Sequence, residues 1–250
     1  MEAKKKTRMK HLILPALLIL ATLSTACNYS VSGFGVGVTG SGRLVDKQFA
    51  LDDFTRVEIG HGATLNVTQG AAYATTITAD DNLMEYLIVE KRGDALHIGL
   101  KAGSYRNVTL RASVSMPALR GLTLSGGSRG EVAGFRSGDP FQVNVSGGSQ
   151  LTGDIQAGAA DLIASGGSRI TLKGAGASLT LNGSGGSPIE MGDFAVAGEG
   201  RITLSGGTRA VINLSGRLDA DLSGGSQLRY VGSPTLGKVN SSGGSQLSAR

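Results

Sequence analysis

Leu162-Ile163-Ala164-Ser165-Gly166-Gly167-Ser168-Arg169-Ile170-Thr171-Leu172 sets a Ser-Gly-Gly turn between two runs in which apolar residues stand two apart. The turn recurs. Seven copies start at Ser125, Ser146, Ser165, Ser184, Ser205, Ser223 and Ser242, with steps of 21, 19, 19, 21, 18 and 19 residues. Six are followed by Ser and one by Thr208. A near-fixed period of this size is the mark of a repeat architecture.

The flanks repeat as well. Three residues before each turn serine stand Leu122, Val143, Leu162, Leu181, Ile202, Ala220 and Val239. Five after it stand Gly130, Leu151, Ile170, Ile189, Ala210, Leu228 and Leu247. Apolar positions of period two on both sides predict strands with one buried face. Glycine at the turn supplies backbone angles that other residues resist and allows close approach of neighbouring backbones. The pairs Gly126 and Gly127, Gly147 and Gly148, Gly166 and Gly167, Gly185 and Gly186, Gly206 and Gly207, Gly224 and Gly225, and Gly243 and Gly244 are therefore structural turn residues. Each repeat reads as strand, corner, strand and a second, looser turn such as Gly158-Ala159-Ala160 or Gly174-Ala175-Gly176.

Two architectures fit that unit. In an antiparallel meander each Gly-Gly closes a hairpin. In a parallel β-helix each period is one coil and like residues stack. The β-helix is preferred, because stacking makes the corners alike and a meander has no reason to. The expected class is all-β, a single parallel β-helical domain over residues 45–250, with coils of about 18–21 residues. The less regular strands of residues 45–120 should cap one end, where an open stack would expose apolar surface and strand edges. Within them, Asp80 to Tyr86 reads as a short helix or turn capped by Asp80 or Asp81.

The start of the chain carries a different signal. Lys4, Lys5, Lys6, Arg8 and Lys10 precede a fifteen-residue apolar run, Leu12 to Ala26. That is short for a bilayer span and suits an export signal, residues 1–26. It ends at Ala26-Cys27, and Cys27 is the only cysteine, so no internal disulfide can form. A small residue before a lone Cys resembles the processing site of bacterial lipoproteins, which implies lipidation at Cys27. Ser24 stands where that pattern favours Leu. Residues 27–44 are Gly/Ser-rich and read as a tether, with an early strand beginning at Gly40-Ser41-Gly42 as the alternative. Residues 1–26 hold five basic residues and one acid, so the remaining 19 basic and 18 acidic residues give the rest of the chain a net charge of only +1. That is no electrostatic case for nucleic acid.

Chemistry-bearing motifs are sparse. Calcium-binding β-rolls need Asp after Gly-Gly-x-Gly. Here Ser or Thr follows Gly-Gly, and Asp154, Asp161, Asp193, Asp219 and Asp221 keep no common offset from the corner. Beyond the export signal His61 and His97 are the only histidines, too few for a zinc site. Asp219 and Asp221 could share a strand face as a carboxylate pair, but sugar-cleaving clefts also favour aromatic platforms and Trp is absent. No phosphate-binding glycine motif leads into a helix. The expectation is a protein without catalysis, cofactor or metal, whose outward residues vary from coil to coil.

Phe54-Thr55-Arg56-Val57-Glu58-Ile59, Ala63 to Gly70, Ala79-Asp80-Asp81-Asn82-Leu83, Asp94-Ala95-Leu96-His97-Ile98, Met116-Pro117-Ala118-Leu119 and Tyr230-Val231-Gly232-Ser233-Pro234 resemble, in that order, the domain known as the putative auto-transporter adhesin head GIN domain. The resemblance covers residues 45–250. It implies an exported β-helical envelope domain, often lipid-anchored, with no catalytic residues to carry over. The function expected is a cell-envelope, adhesin-like binding module, held to the membrane by an N-terminal lipid and meeting a glycan or a surface protein. A self-assembling structural protein is the alternative, and a polysaccharide-active enzyme comes third.

Overall fold

The computed structural model describes residues 37–250. The segment 1–26, Cys27 and residues 27–36 of the expected tether lie outside the described residues. The described chain is all-β apart from one 3-10 turn, Asp81–Leu83. It forms a β-solenoid of about six turns, with parallel bridges about 20 residues apart.

The hairpin alternative fails on pairing. Gly121–Leu124 enters the first Ser-Gly-Gly corner and Arg129–Arg136 leaves it, yet the residue pairings of both strands lie with other coils and not with each other. Gly121–Leu124 pairs in parallel with Arg56–Ile59 and Phe141–Val145. Arg129–Arg136 pairs in parallel with Thr64–Gln69 and Gln150–Ala164. Entering strands thus build one face and leaving strands the other. Register is kept corner to corner: Leu151 lies beside Ile170 and Leu162 beside Leu181.

Each corner has two left-handed residues in succession. The first glycine has φ of 61–63° and the second 74–79°. This is the φ pair of the turn that usually closes a hairpin. The fourth residue closes it by donating its N–H to the first carbonyl, at 3.3 Å from Ser168 to Ser165. The corners are then stitched along the axis: Gly148 N donates to Gly166 O at 3.0 Å and Gly167 N to Gly185 O at 2.9 Å. The fourth-position side chain turns inward. Ser128, Ser149, Ser168, Ser187, Thr208 and Ser226 are buried. Ser149 Oγ donates to the Ser146 carbonyl at 2.7 Å and Ser168 Oγ to that of Ser165 at 2.6 Å. Ser149 Oγ also accepts the N–H of Ser128 one coil earlier, at 3.1 Å. Thr208 is the exception, and its hydroxyl has no partner. Its methyl explains its presence. A Cβ on Gly183, which occupies an inward site, would lie 2.7 Å from Thr208 Cγ2, so the threonine fills the space the glycine leaves.

Between the faces runs an aliphatic column that includes Leu122, Val143, Leu162, Leu181 and Ile202 facing Leu151, Ile170, Ile189, Ala210 and Leu228, all at most 3% exposed. The expected loose turns at 158–160 and 174–176 are absent. Gln150–Ala164 and Arg169–Gly183 each run unbroken round the second bend, with Gln156 beside Ala175 and Ala159 beside Ser178. The coil narrows there because glycine and alanine let the backbones pass close. A Cβ on Gly174 would lie 1.9 Å from Ile155 O.

The first coil holds a corner without the Ser-Gly-Gly sequence. Gly60-His61-Gly62-Ala63 turns with φ of 62° at His61 and 70° at Gly62, and Ala63 N donates to Gly60 O at 3.3 Å. The chain then leaves the stack and builds the cap before returning at Gly121. Ala95–Leu100 and Leu110–Met116 extend the two faces outward in parallel, beyond Arg56–Ile59 and Thr64–Gln69. Antiparallel strands finish the end: Leu87–Arg92 on one face, and Ala74–Asp80 then Leu44–Phe49 on the other. Asp80 is buried, and no side-chain hydrogen bond caps the 3-10 turn. Its carboxylate instead accepts the N–H of Gly42 and of Thr109, both at 2.7 Å. Residues 37–44, read from the sequence as the end of the tether, are laid on the cap: Val38–Thr39 pairs with Tyr105–Arg106, and Leu44 begins a strand.

The two corner glycines meet different surroundings. A Cβ on Gly185 would lie 2.9 Å from Gly166 N, whereas one on Gly186 would meet nothing closer than 4.0 Å. Gly186→Ala should cost about 1–2 kcal/mol from the left-handed backbone alone. Gly185→Ala should cost more, about 2–4 kcal/mol, because strain and a backbone clash add. Urea melts of the two variants check the order, and equal losses would refute it.

Candidate functional site

Outward residues fall into columns because the corners are in register. On the entry face the column two residues before the turn serine runs Thr123, Asn144, Ile163, Asn182, Thr203, Asp221 and Asn240. On the exit face the column four residues after it runs Arg129, Gln150, Arg169, Pro188, Arg209, Gln227 and Gln246. Beside the corner, then, the outward residues do not vary freely. The first column is Thr, Asn or Asp at six of its seven places, and the second is Arg or Gln at six of seven.

The entry face has a shallow open depression at its cap end, lined by Arg56, Glu58, Gly121, Thr123, Gln142, Asn144, Asp161 and Ile163. Gly121 has no side chain in its column, and Arg56 lies across it. Arg56 Nη2 donates to Gln142 Oε1 at 2.6 Å and its Nε to Asp94 at 3.2 Å. A second open depression lies on the exit face and is lined by Thr64, Asn66, Arg129, Glu131, Gln150 and Thr152.

Four of the five aspartates singled out from the sequence have structural partners, and the fifth, Asp161, lines the entry-face depression. Asp219 accepts Arg217 Nε at 3.2 Å and Nη2 at 3.0 Å, and the Lys238 N–H at 2.6 Å. The Arg217 hydrogen bonds, then the Lys238 N–H, hold its carboxyl below the usual carboxylate range. A general acid needs the opposite shift. Asp221 accepts the Asn240 side-chain amide. Asp154 pairs with Arg136 at 3.0 Å and Asp193 with Lys173 at 3.7 Å. His61 and His97 both flank Gly99 at the cap, and His97 Nδ1 lies 3.4 Å from Glu58. Among the described residues no three His, Cys, Asp or Glu side chains converge as a metal site.

What the surface offers is a pair of long, regular, polar faces with shallow relief. Sequence alone shows the recurrence of Arg129, Arg169 and Arg209 at one corner offset. It does not show that Arg111 joins them, because Arg111 precedes the first Ser-Gly-Gly and is placed only by the pairing of Arg111 with Thr64 and of Thr64 with Arg129.

The profile of the putative auto-transporter adhesin, head GIN domain, family matches residues 53–234, most of the described solenoid. The chain belongs to this family. Solved structures share its fold. A putative adhesin from Bacteroides fragilis NCTC 9343 superposes with a TM-score of 0.78 at 17% identity, over 86% of this chain and all of that one. A putative lipid binding protein from Parabacteroides distasonis ATCC 8503 gives 0.69 at 16%, over 85% and 99% of the two chains. A putative adhesin from Parabacteroides merdae ATCC 43184 gives 0.65 at 20%, over 85% and 98%. No functionally curated protein matches the chain.

The depressed value of Asp219 fixes the sign of a pH effect. Its contribution to stability is full above its unfolded value, about pH 4, and is lost as pH falls below that toward the lowered folded value. Asp219→Asn should therefore flatten the fall of melting temperature with acidification below about pH 4 and leave the slope between pH 5 and 8 unchanged. Thermal melts across pH check this, and an altered slope near neutrality would contradict it.

Proposed function

We propose that this GIN-domain protein is an exported, lipid-anchored component of the cell envelope, whose solenoid binds an extended partner, a glycan or a surface protein, without transforming it. The observation that carries the reading is the pair of ordered outward columns beside the corner. A rigid face repeating one contact per coil suits a long ligand, because many weak contacts add and the face itself loses little conformational freedom on binding. The family's adhesin description and the relatives named as putative adhesins point the same way. Asp219, Asp193 and Asp221 are already held by arginine, lysine and asparagine respectively. Anchoring rests on the basic start, the short apolar run and the lone Cys27.

Two outcomes are expected. Cys27→Ser should release the protein from membranes or leave an unprocessed precursor, read by fractionation and intact-mass spectrometry; absence of lipid mass on the native Cys27 would end the anchoring proposal. On glycan and protein arrays the full chain should retain a ligand with no cleavage products and with EDTA having no effect. Released oligosaccharide, abolished by a change such as Asp221→Asn, would move the protein to the enzymes.

A further inference from the structure

The exit-face column beside the corner extends into the cap, and in strand order it reads Arg111, Thr64, Arg129, Gln150, Arg169, Pro188, Arg209, Gln227. Arginine thus stands on every second strand, four times in succession. Neighbouring strands are about 4.8 Å apart, so the cationic repeat is about 9.6 Å along the solenoid axis. All four arginines are exposed. Among the described residues none of the four is in an ion pair.

That sets the row apart from five cations nearby along the two faces. Arg56, Arg120, Arg136, Lys173 and Arg217 each face an aspartate. Like charges at this spacing, about one Debye length in physiological salt, repel weakly. An opposing charge of the same repeat relieves that repulsion. Access is open, since the second glycines of the adjoining corners, such as Gly148 and Gly167, have empty space where a side chain would be. The open depression containing Thr64, Arg129 and Gln150 lies within the row.

We propose that this row binds an extended acidic polysaccharide carrying one anionic group per disaccharide, lying along the solenoid axis beside the corners. An extended disaccharide has about the length of two strand spacings. The planar guanidinium matches a carboxylate or sulfate through paired hydrogen bonds. The intervening Thr64, Gln150 and Gln227 offer neutral hydrogen-bonding groups to the uncharged sugar. Glu131 and Glu190 occupy the next column, two residues further along their strands, and disfavour a ligand charged at every unit. Nucleic acid fits less well. Its charges are closer together, and single strands are held by aromatic platforms that this row lacks. The inference rests on the binding role proposed above and names its ligand class.

Isothermal titration of the full chain in detergent tests it, with a hyaluronan octasaccharide (one carboxylate per disaccharide), an oligogalacturonate (one per sugar) and neutral dextran. Hyaluronan should bind best, and its affinity should fall about tenfold or more between about 0.05 and 0.5 M NaCl. The double change Arg129→Gln with Arg169→Gln should weaken it about tenfold at unchanged melting temperature. Arg120→Gln with Lys173→Gln, off the row, should not. Undiminished binding by the row variant would overturn the proposal, as would tighter binding of oligogalacturonate. Anionic vesicles or duplex DNA bound through the same arginines as tightly as hyaluronan would also overturn it. Failure to bind any acidic polysaccharide, with another ligand retained on the arrays, overturns this inference alone; failure on both removes the binding role as well.

Discussion

Everything in this molecule depends on one corner in which two successive residues take left-handed angles while the same corner of the next coil lies against them. A Cβ on the first residue would come within 2.9–3.3 Å of the preceding coil's backbone nitrogen at Gly147, Gly166, Gly185, Gly206, Gly224 and Gly243. Glycine alone meets both demands. The hydrogen bonds between stacked corner glycines then lock one coil to the next. His61 takes the first-glycine place in the coil nearest the cap, where its neighbour beyond is the straight strand residue Gly99 and no further glycine corner is stacked.

Fixed corners make fixed columns. Coil length varies from 18 to 21 residues, but the variation is absorbed at the second bend, by the unbroken Gly- and Ala-rich stretches and by register shifts such as those between Thr171 and Gly174 and between Met191 and Ala195. The corner side of each face therefore stays in register from end to end, and the most regular surface is found there. The opposite edge carries the ion pairs Arg136–Asp154 and Lys173–Asp193. Exposed pairs of this kind add little stability. Their consequence is for recognition, since they compensate the charge of that edge while the corner-side arginines have no ion-pair partner among the described residues.

The cap solves a different problem. A parallel stack ends in open strand edges, which template aggregation. Here the chain turns antiparallel and adds Leu87–Arg92 and Leu44–Phe49 as the outermost strands of the two faces. Lys47, Gln48, Lys91 and Arg92 put charge and polarity along those outermost strands. The buried carboxylate of Asp80 ties the incoming segment at Gly42 to the cap loop at Thr109. The solved relatives keep the fold at 16–20% identity because corner and core ask only for glycine and for apolar residues of suitable size. Outward residues are free of those demands, which is why likeness of fold does not carry a ligand with it.

The sequence by itself determined the period, the glycine corners and the aliphatic alternation and favoured the solenoid, because a positive φ and an alternation of period two are written within ten residues; that the strands beside each corner pair with neighbouring coils and not with each other was decided by the tertiary structure. It also carried the signs of the family. Other features needed the tertiary structure. The corner at Gly60-His61-Gly62-Ala63 has no Ser-Gly-Gly, and only its place below Gly126 identifies it. The bends at 158–160 and 174–176 look like turns in composition, yet continuous pairing with neighbouring coils keeps them as strand. Asp80 and Asp219 read as a helix cap and as half of a carboxylate pair, and became a backbone anchor and an arginine partner through residues 29 to 38 positions away for Asp80 and 2 to 19 for Asp219. Three of the four arginines of the row, Arg129, Arg169 and Arg209, recur at one offset from the corner in the sequence. Arg111 joined it only because the chain leaves the stack after its first coil and returns after building the cap, an order of strands that long-range pairing fixes and local sequence does not.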